Sequence, residues 1–207
     1  VTEEEARAWI RDNFDVSRET QLSLYADMLI AEAANQNLVA ASTLDSLWSR
    51  HFVDSAQLAP LAADAPRGTW LDVGSGAGLP GVVVAILLGR PVVLCEPRAR
   101  RVDFLKQVVS ELSLISRVTV QASKVEGYRP SAPAAIVSAR AVAELSQLLQ
   151  STAHCTDSST VWVLPKGRNA QSEVEAARQK WQGTFHVEPS ITQPDSGIVV
   201  ARGVRPR

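Results

Sequence analysis

An apolar run, Thr69-Trp70-Leu71, leads into Asp72-Val73-Gly74-Ser75-Gly76-Ala77-Gly78-Leu79-Pro80-Gly81, and a second, Val82 to Leu88, leaves it. That order reads as strand, tight glycine turn, helix. A glycine removes the Cβ where a backbone must bend through positive φ or let a ligand come close. Pro80 suits the first turn of the following helix, where no amide hydrogen is needed. The free amides of that helix start are expected to face whatever sits in the turn. An acid, Asp72, stands at the carboxyl end of the strand. The plain reading is a tight connection; the functional one is a cofactor pocket.

A β/α alternation surrounds this turn. Strands are expected over 69–73, 91–95, 118–122, 134–139 and 160–164, with helices over 80–88, 99–113 and 142–153. A last helix, 170–182, precedes extended runs 184–191 and 197–203, joined by the turn signal Gln193-Pro194-Asp195-Ser196-Gly197. Apolar strands alternating with helices imply a parallel sheet covered on both faces. The closing hairpin adds antiparallel strands. Residues 3–35 are helical in pattern with a break near Asn13–Val16, and Asn37 falls near a helix end. Ser42 or Thr43 is placed to cap a helix through Leu44, Leu47, Phe52 and Leu58. Ala65-Pro66-Arg67-Gly68 is a breaker. It divides an N-terminal helical cap, residues 1–64, from a nucleotide-binding body, residues 65–207.

Charge differs between those parts. Residues 1–64 hold 4 Lys/Arg and 11 Asp/Glu, a balance of −7; residues 65–207 hold 17 and 11, a balance of +6. A basic body under an acidic segment is compatible with a bound polyanion, or with two ordinary solvated surfaces. Cys95 and Cys155 form no CxxC or Cys/His metal pattern, so no zinc site, disulfide framework or other metal centre is expected. The acidic Val1-Thr2-Glu3-Glu4-Glu5 lacks a secretory apolar core, and Val82–Leu88 is too short to cross a bilayer. A cytoplasmic chain without membrane attachment is expected, as a monomer.

Two cofactors compete for the turn. Glycines 76, 78 and 81 match the G-x-G-x-x-G of an NAD(P)-dependent oxidoreductase, a weak signal alone. Asp72, Gly74, Gly76 and Gly78 match D-x-G-x-G-x-G, which resembles class I S-adenosylmethionine-dependent methyltransferases. A dinucleotide sets its pyrophosphate against the helix start, whereas S-adenosylmethionine carries an amino group, a carboxylate and a sulfonium. An acidic strand end should attract the cationic end and repel a pyrophosphate. Glu96 ends the next strand, where a carboxylate can accept ribose hydroxyls from either cofactor or favour a helix start.

Further strings fall into one pattern: Asn37-Leu38, Arg50-His51-Phe52-Val53-Asp54-Ser55, the turn itself through Gly-Leu-Pro-Gly, Arg101-Val102-Asp103-Phe104-Leu105, Ser123-Lys124-Val125-Glu126, Ser138-Ala139-Arg140-Ala141 and Pro165-Lys166-Gly167. In this order, over about residues 20–203, they resemble ribosomal RNA small subunit methyltransferase G, also called glucose-inhibited division protein B. Members are bacterial and methylate N7 of one guanine in 16S ribosomal RNA. The resemblance implies an α/β, Rossmann-like class I methyltransferase fold: a mostly parallel seven-stranded sheet with an antiparallel C-terminal hairpin and an N-terminal helical cap. It implies S-adenosylmethionine as cofactor and 16S ribosomal RNA or the small ribosomal subunit as partner. Gly74 and Leu79 would contact the cofactor, Gly76 and Gly78 would shape the loop, Val125 and Glu126 would sit at the adenine end, and Arg140 would lie between cofactor and substrate. The family often reads Ser-Arg-Val-Glu where this chain has Lys124, which keeps the charge and loses the planar fork.

Guanine N7 has an in-plane lone pair and no proton, so its methylation needs no general base. Catalysis then rests on placing N7 in line with the sulfur–methyl bond. A donor to the neighbouring O6 could identify the base. Arg140 and Lys166, just past strand ends, are the candidate catalytic groups; their plainer readings are a surface ion pair and a loop lysine. RNA contacts are expected from Arg98, Arg100, Arg101 and Lys106, with Lys124 at a phosphate and Arg50 and His51 closing over the site from the cap. His51 reads equally as a capping or core histidine. A non-catalytic RNA-binding protein remains the second alternative.

Overall fold

The computed structural model describes residues 1–207. Seven strands form one sheet: β1 (Trp70–Val73), β2 (Val92–Cys95), β3 (Val118–Gln121), β4 (Ile136–Ala139), β5 (Val161–Gly167), β6 (Trp181–Pro189) and β7 (Gly197–Pro206), in the order β3-β2-β1-β4-β5-β7-β6. β3, β2, β1, β4 and β5 run parallel; β7 is antiparallel to its neighbours β5 and β6, so that β6 at the edge points the same way as the parallel strands. The expected α/β class and closing hairpin are borne out.

β1, β2 and β4 are buried at every position, as both-face coverage requires. Their side chains alternate between two cores. Trp70, Val92, Leu94 and Ile136 join the helices α1 (Glu3–Asn13), α2 (Val16–Glu32), α5 (Gly81–Leu87) and α6 (Ala99–Glu111). Leu71, Val93, Cys95 and Val137 face α7 (Leu145–Thr152) and α8 (Ala170–Ala177). The N-terminal helices therefore share a core with the sheet. The sequence runs outward from β1 to β3 and then returns to β4 on β1's other side. This reversal opens a crevice at the carboxyl ends of β1 and β4, where open α/β sheets bind ligands.

The expected break near Asn13–Val16 is present: α1 ends at Asn13, and Asp15 accepts from the Arg18 amide to start α2. Four expectations are corrected. The helix through Leu44–Leu58 is four short pieces: a 3-10 turn Ala41–Ser46, a π turn Trp48–Phe52, α3 (Val53–Ala56) and α4 (Leu58–Leu61). Thr43 is not its cap, because its hydroxyl donates to Ala40 O at 2.7 Å. α7 starts at Leu145, three residues later than 142, because Ala141 takes φ +55° and breaks the helical path. The last helix stops at Ala177, and Trp181 already pairs with Pro206 in the hairpin. Trp181 and Phe185, four apart, both bury into the second core, which a strand leaving the helix satisfies.

Candidate active site

Gly74, the first residue beyond β1, adopts φ +66°, and Gly78 adopts φ +95°. Gly78 is packed from three sides: a Cβ there would lie 2.5 Å from Val82 Cγ2 and 2.7 Å from Tyr25 Oη. The Tyr25 hydroxyl donates to Ala77 O, so α2 holds the turn from behind. Gly81 is equally crowded, with Leu94 Cδ2 2.3 Å from where its Cβ would be. Gly74 and Gly76 are the turn glycines left part-exposed.

The first two amides of the helix are committed inside the protein, contrary to expectation. The Gly81 amide donates to Asp72 Oδ2 at 3.2 Å and the Val82 amide to Gly78 O at 2.7 Å. A pyrophosphate would have to displace these internal bonds, which weakens the dinucleotide reading. Asp72 also departs from the expectation of a charge beside the ligand. Asp72 is fully buried and faces α5, so it does not attract a ligand's cationic end. Its Oδ1 accepts from Ser138 Oγ at 2.7 Å, and Ser138 Oγ accepts from the Trp70 indole at 2.8 Å. Burial pushes the Asp72 carboxyl up to about 6 against these hydrogen bonds.

A cavity of about 370 Å³ opens along the turn, lined by Leu38, Gly74, Gly76, Leu79, Glu96, Arg98, Arg101, Arg140 and Val142. Its size falls within the roughly 300–1,000 Å³ of ligand pockets. Glu96, just past β2, is 3 % exposed. It accepts from the Gly76 amide at 2.8 Å and the Arg98 amide at 2.9 Å, one on each carboxylate oxygen. A carboxylate has about four acceptor sites, so the two amides fix its orientation and leave capacity for a ligand's hydroxyls. Bare backbone on one wall and an oriented carboxylate on the other fit a nucleoside with vicinal hydroxyls. Val125 and Glu126 do not line this cavity: Val125 is buried in the second core and Glu126 is exposed, both beyond β3.

A larger cleft, about 680 Å³, adjoins the first, and Arg140, Ala141 and Val142 line both. Its charges balance: Arg50, Arg140 and Lys166 face Asp54, Glu144 and Glu173. Arg140 Nη1 donates to His51 Nδ1 at 3.1 Å and lies 3.5 Å from Asp54 Oδ2. Asp54 Oδ1 accepts from Gln57 Nε2 at 3.0 Å and Thr192 Oγ1 at 3.1 Å, so the hairpin loop meets the N-terminal segment here. Lys166 is more committed than its candidacy assumed. Its ammonium sits 2.9 Å from Glu173 Oε2 and donates to Ala143 O, with the side chain 8 % exposed. One of three ammonium hydrogens stays uncommitted. Glu173 Oε2 also accepts from the Leu145 amide at 2.7 Å, which caps α7 from α8.

The expected RNA-facing cations separate. Arg50, at the cleft, and Arg98, Lys106 and Lys124 are exposed. Arg100 and Arg101 instead donate to the carbonyls of Asn35 at 2.7 Å and Asn37 at 3.3 Å. They hold residues 35–38 against α6 and place Leu38 over the crevice. His51 is half-buried and bonded at both ring nitrogens, so it belongs to the network around Arg140. Asp54, Glu173, Thr192 and Val142 were missed. Only Asp54 carried a signal, its place in the Arg50–Ser55 string; the others join the site through contacts distant in sequence.

The family described as GidB, rRNA small subunit methyltransferase G, matches residues 18–196. The chain is similar to the ribosomal RNA small subunit methyltransferase G of Rhizorhabdus wittichii, 44% identical over 100% of this chain and 95% of that one. It is 48% identical to the protein of the same name from Sphingopyxis alaskensis, over 97% of this chain and 86% of that one. Its fold is similar to that of a methyltransferase from Geobacter sulfurreducens, with TM-score 0.56, 17% identity and 86% of each chain covered.

Proposed function

The chain belongs to the rRNA small subunit methyltransferase G family, and on that premise we propose that its two joined cavities transfer a methyl group from S-adenosylmethionine to N7 of a guanine in 16S ribosomal RNA. The observation that carries this reading is the shared wall: Arg140–Val142 borders both the nucleoside-sized crevice and the cleft beside it. Two reactants in these cavities meet at one place.

S-adenosylmethionine supplies an electrophilic methyl on its sulfonium. Gly74 and Gly76 let the backbone approach the ligand, and the free acceptor capacity of Glu96 takes ribose hydroxyls. Arg140 keeps donors beyond Nη1 that can orient the incoming base, since a guanidinium carries five. No general base is required at N7, and the site is consistent with that. His51 Nδ1 is occupied by Arg140, Asp54 and Glu173 are hydrogen-bonded, and burial lowers His51 to about 4, reinforced by the charges of Arg140 and Arg50. Rate then comes from alignment at roughly 3–3.5 Å. Lys166 shapes the loop from Arg140 to Leu145 with Glu173, and its remaining hydrogen is available to the base.

Because the cleft itself is charge-balanced, phosphate attraction falls to exposed cations around it: Arg50, Arg98, Lys106 and Lys124. Residues 1–64 act as a helical cap over a methyltransferase domain of residues 65–207. No helix is long and apolar enough to cross a membrane, and a cytoplasmic monomer working on ribosomal subunits is the setting we infer. The test is incubation with labelled S-adenosylmethionine and small ribosomal subunits that lack the modification, followed by mass-spectrometric mapping. Label at guanine N7 of 16S RNA is expected. Label elsewhere, or on no assembly state, overturns the assignment.

A further inference from the structure

We propose that His51 is the positioning residue for Arg140: its ring, fixed at one nitrogen by Thr43, holds the guanidinium at the junction of the two cavities with the other. This rests on the role given to Arg140 above.

The hydrogen-bond directions determine themselves. A guanidinium can only donate, so His51 Nδ1, 3.1 Å from Arg140 Nη1, is the acceptor. The ring is then protonated at Nε2, which donates to Thr43 Oγ1 at 2.8 Å. The Thr43 hydroxyl passes its own hydrogen to Ala40 O at 2.7 Å. The chain Arg140–His51–Thr43–Ala40 therefore runs in one direction, each group donating to the next. A proton added to Nδ1 would face a guanidinium, so the chain works only with a neutral ring. The Ser55 hydroxyl adds a support from below, donating to His51 O at 2.6 Å across the turn that carries the ring.

Asp54 alone does not fix the guanidinium. Its Oδ2 lies 3.5 Å from Arg140 Nη1, at the limit of hydrogen bonding, while its Oδ1 serves Gln57 and Thr192. The carboxylate supplies charge, and the imidazole supplies direction. Arg140 follows β4 immediately and precedes Ala141, whose φ of +55° turns the loop away, so the guanidinium needs an external acceptor to keep its aim.

Two isosteres separate the nitrogens. In His51→Asn the amide oxygen can replace Nδ1 and still accept from Arg140. In His51→Gln the amide reaches the Nε2 position, keeps Thr43 and loses Arg140. Turnover on small ribosomal subunits, KM for the subunits, and thermal midpoint are measured for both, alongside Arg140→Ala and the double variant Arg140→Ala/His51→Gln. His51→Gln is expected to lose about tenfold to a hundredfold in kcat, the scale of a small misplacement, with KM and midpoint little changed. His51→Asn should recover most of the rate. The double variant should be no slower than Arg140→Ala, since contacting groups that act together are not additive. Normal kcat in His51→Gln overturns the proposal, as do equal losses in the Asn and Gln variants or additive losses in the double variant. If Arg140→Ala is fully active, the role of Arg140 falls and this proposal with it. If the unaltered protein transfers no methyl, the methyltransferase reading itself has failed.

Discussion

Asp72 and Gly81 are joined across the turn: the Gly81 amide, the first of α5, donates to the buried Asp72 carboxylate at 3.2 Å. The acid thus closes the helix start and fixes the path of the residues between them. The Gly81 position has no room for more. A methyl group there would lie 2.6 Å from Asp72 Oδ2 and 2.3 Å from Leu94 Cδ2. Gly81→Ala should therefore cost about 1–3 kcal/mol, the usual range for overpacking. It should also weaken S-adenosylmethionine binding, because the bond that shapes the turn is displaced. Urea unfolding and calorimetric titration check both, and an unchanged midpoint refutes the first.

Asp72 should also leave a mark on stability against pH. Its folded pKa, about 6, lies above the ordinary 3.8, so the folded state binds its proton first. The Asp72 contribution is then fully present below about pH 4 and is lost as pH rises through 6. Asp72→Asn removes this titration, so the stability gap between native protein and variant should narrow from pH 4 to pH 7. Unfolding free energies at those pH values decide the matter; a gap that widens contradicts it.

His51 has the opposite sign. Its folded pKa, about 4, lies below the ordinary 6.5, because of burial first and then the charges of Arg140 and Arg50. Glu3 opposes these, and Asp54 stands beside Arg140. The unfolded chain takes up the proton first, so the His51 contribution is present above about pH 6.5 and is lost as pH falls toward 4. His51→Asn should flatten that loss relative to the native protein. An unchanged slope between pH 4 and 6.5 would show that His51 is protonated without cost in the fold.

The turn and the β/α alternation were legible because both are written in neighbouring residues: apolar runs of strand length, and glycines where a chain must bend. The crevice at β1 and β4 follows from that order. Which way Asp72 points was not legible. The residue reads as a charge beside a ligand, yet its strand position sends it toward α5, with Ser138 from another strand as its partner. The start of α7 was missed for a similar reason. Its cap is Glu173, 28 residues downstream, and no local residue announces it. His51 and Arg140 were both singled out, but their contact spans 89 residues and depends on how the broken helix of 41–61 lies over the sheet.

Lys166 and Glu173 form a half-hidden ion pair, with side-chain exposures of 8% and 18%. Removing one partner strands the other, which for buried pairs costs roughly 3–5 kcal/mol, an upper range at this exposure. Lys166→Met and Glu173→Gln should each destabilise, and the double variant should be more stable than the sum predicts. Methyl transfer separates two roles for Lys166. If the lysine acts only through the loop, the double variant regains rate along with stability. If its third hydrogen meets the base, stability returns and rate does not.

Val142 covers Gly74, and the two residues test how the crevice meets its ligand. A Cβ at Gly74 would lie 2.7 Å from Val142 Cγ2, and the backbone there has φ +66°. Gly74→Ala thus meets two penalties: a clash, and a left-handed conformation that costs an L-residue about 1–2 kcal/mol. Trimming the valine removes the clash and leaves the backbone cost. S-adenosylmethionine affinity in Gly74→Ala should fall by about tenfold or more, and Gly74→Ala/Val142→Ala should recover part of the loss. Val142, 45% exposed, contributes little to the core, so Val142→Ala alone should melt within a few degrees of the native protein. Full recovery in the double variant would mean that the positive φ carries no cost. No recovery would mean that the methyl group obstructs the ligand itself, placing the bound cofactor directly against Gly74.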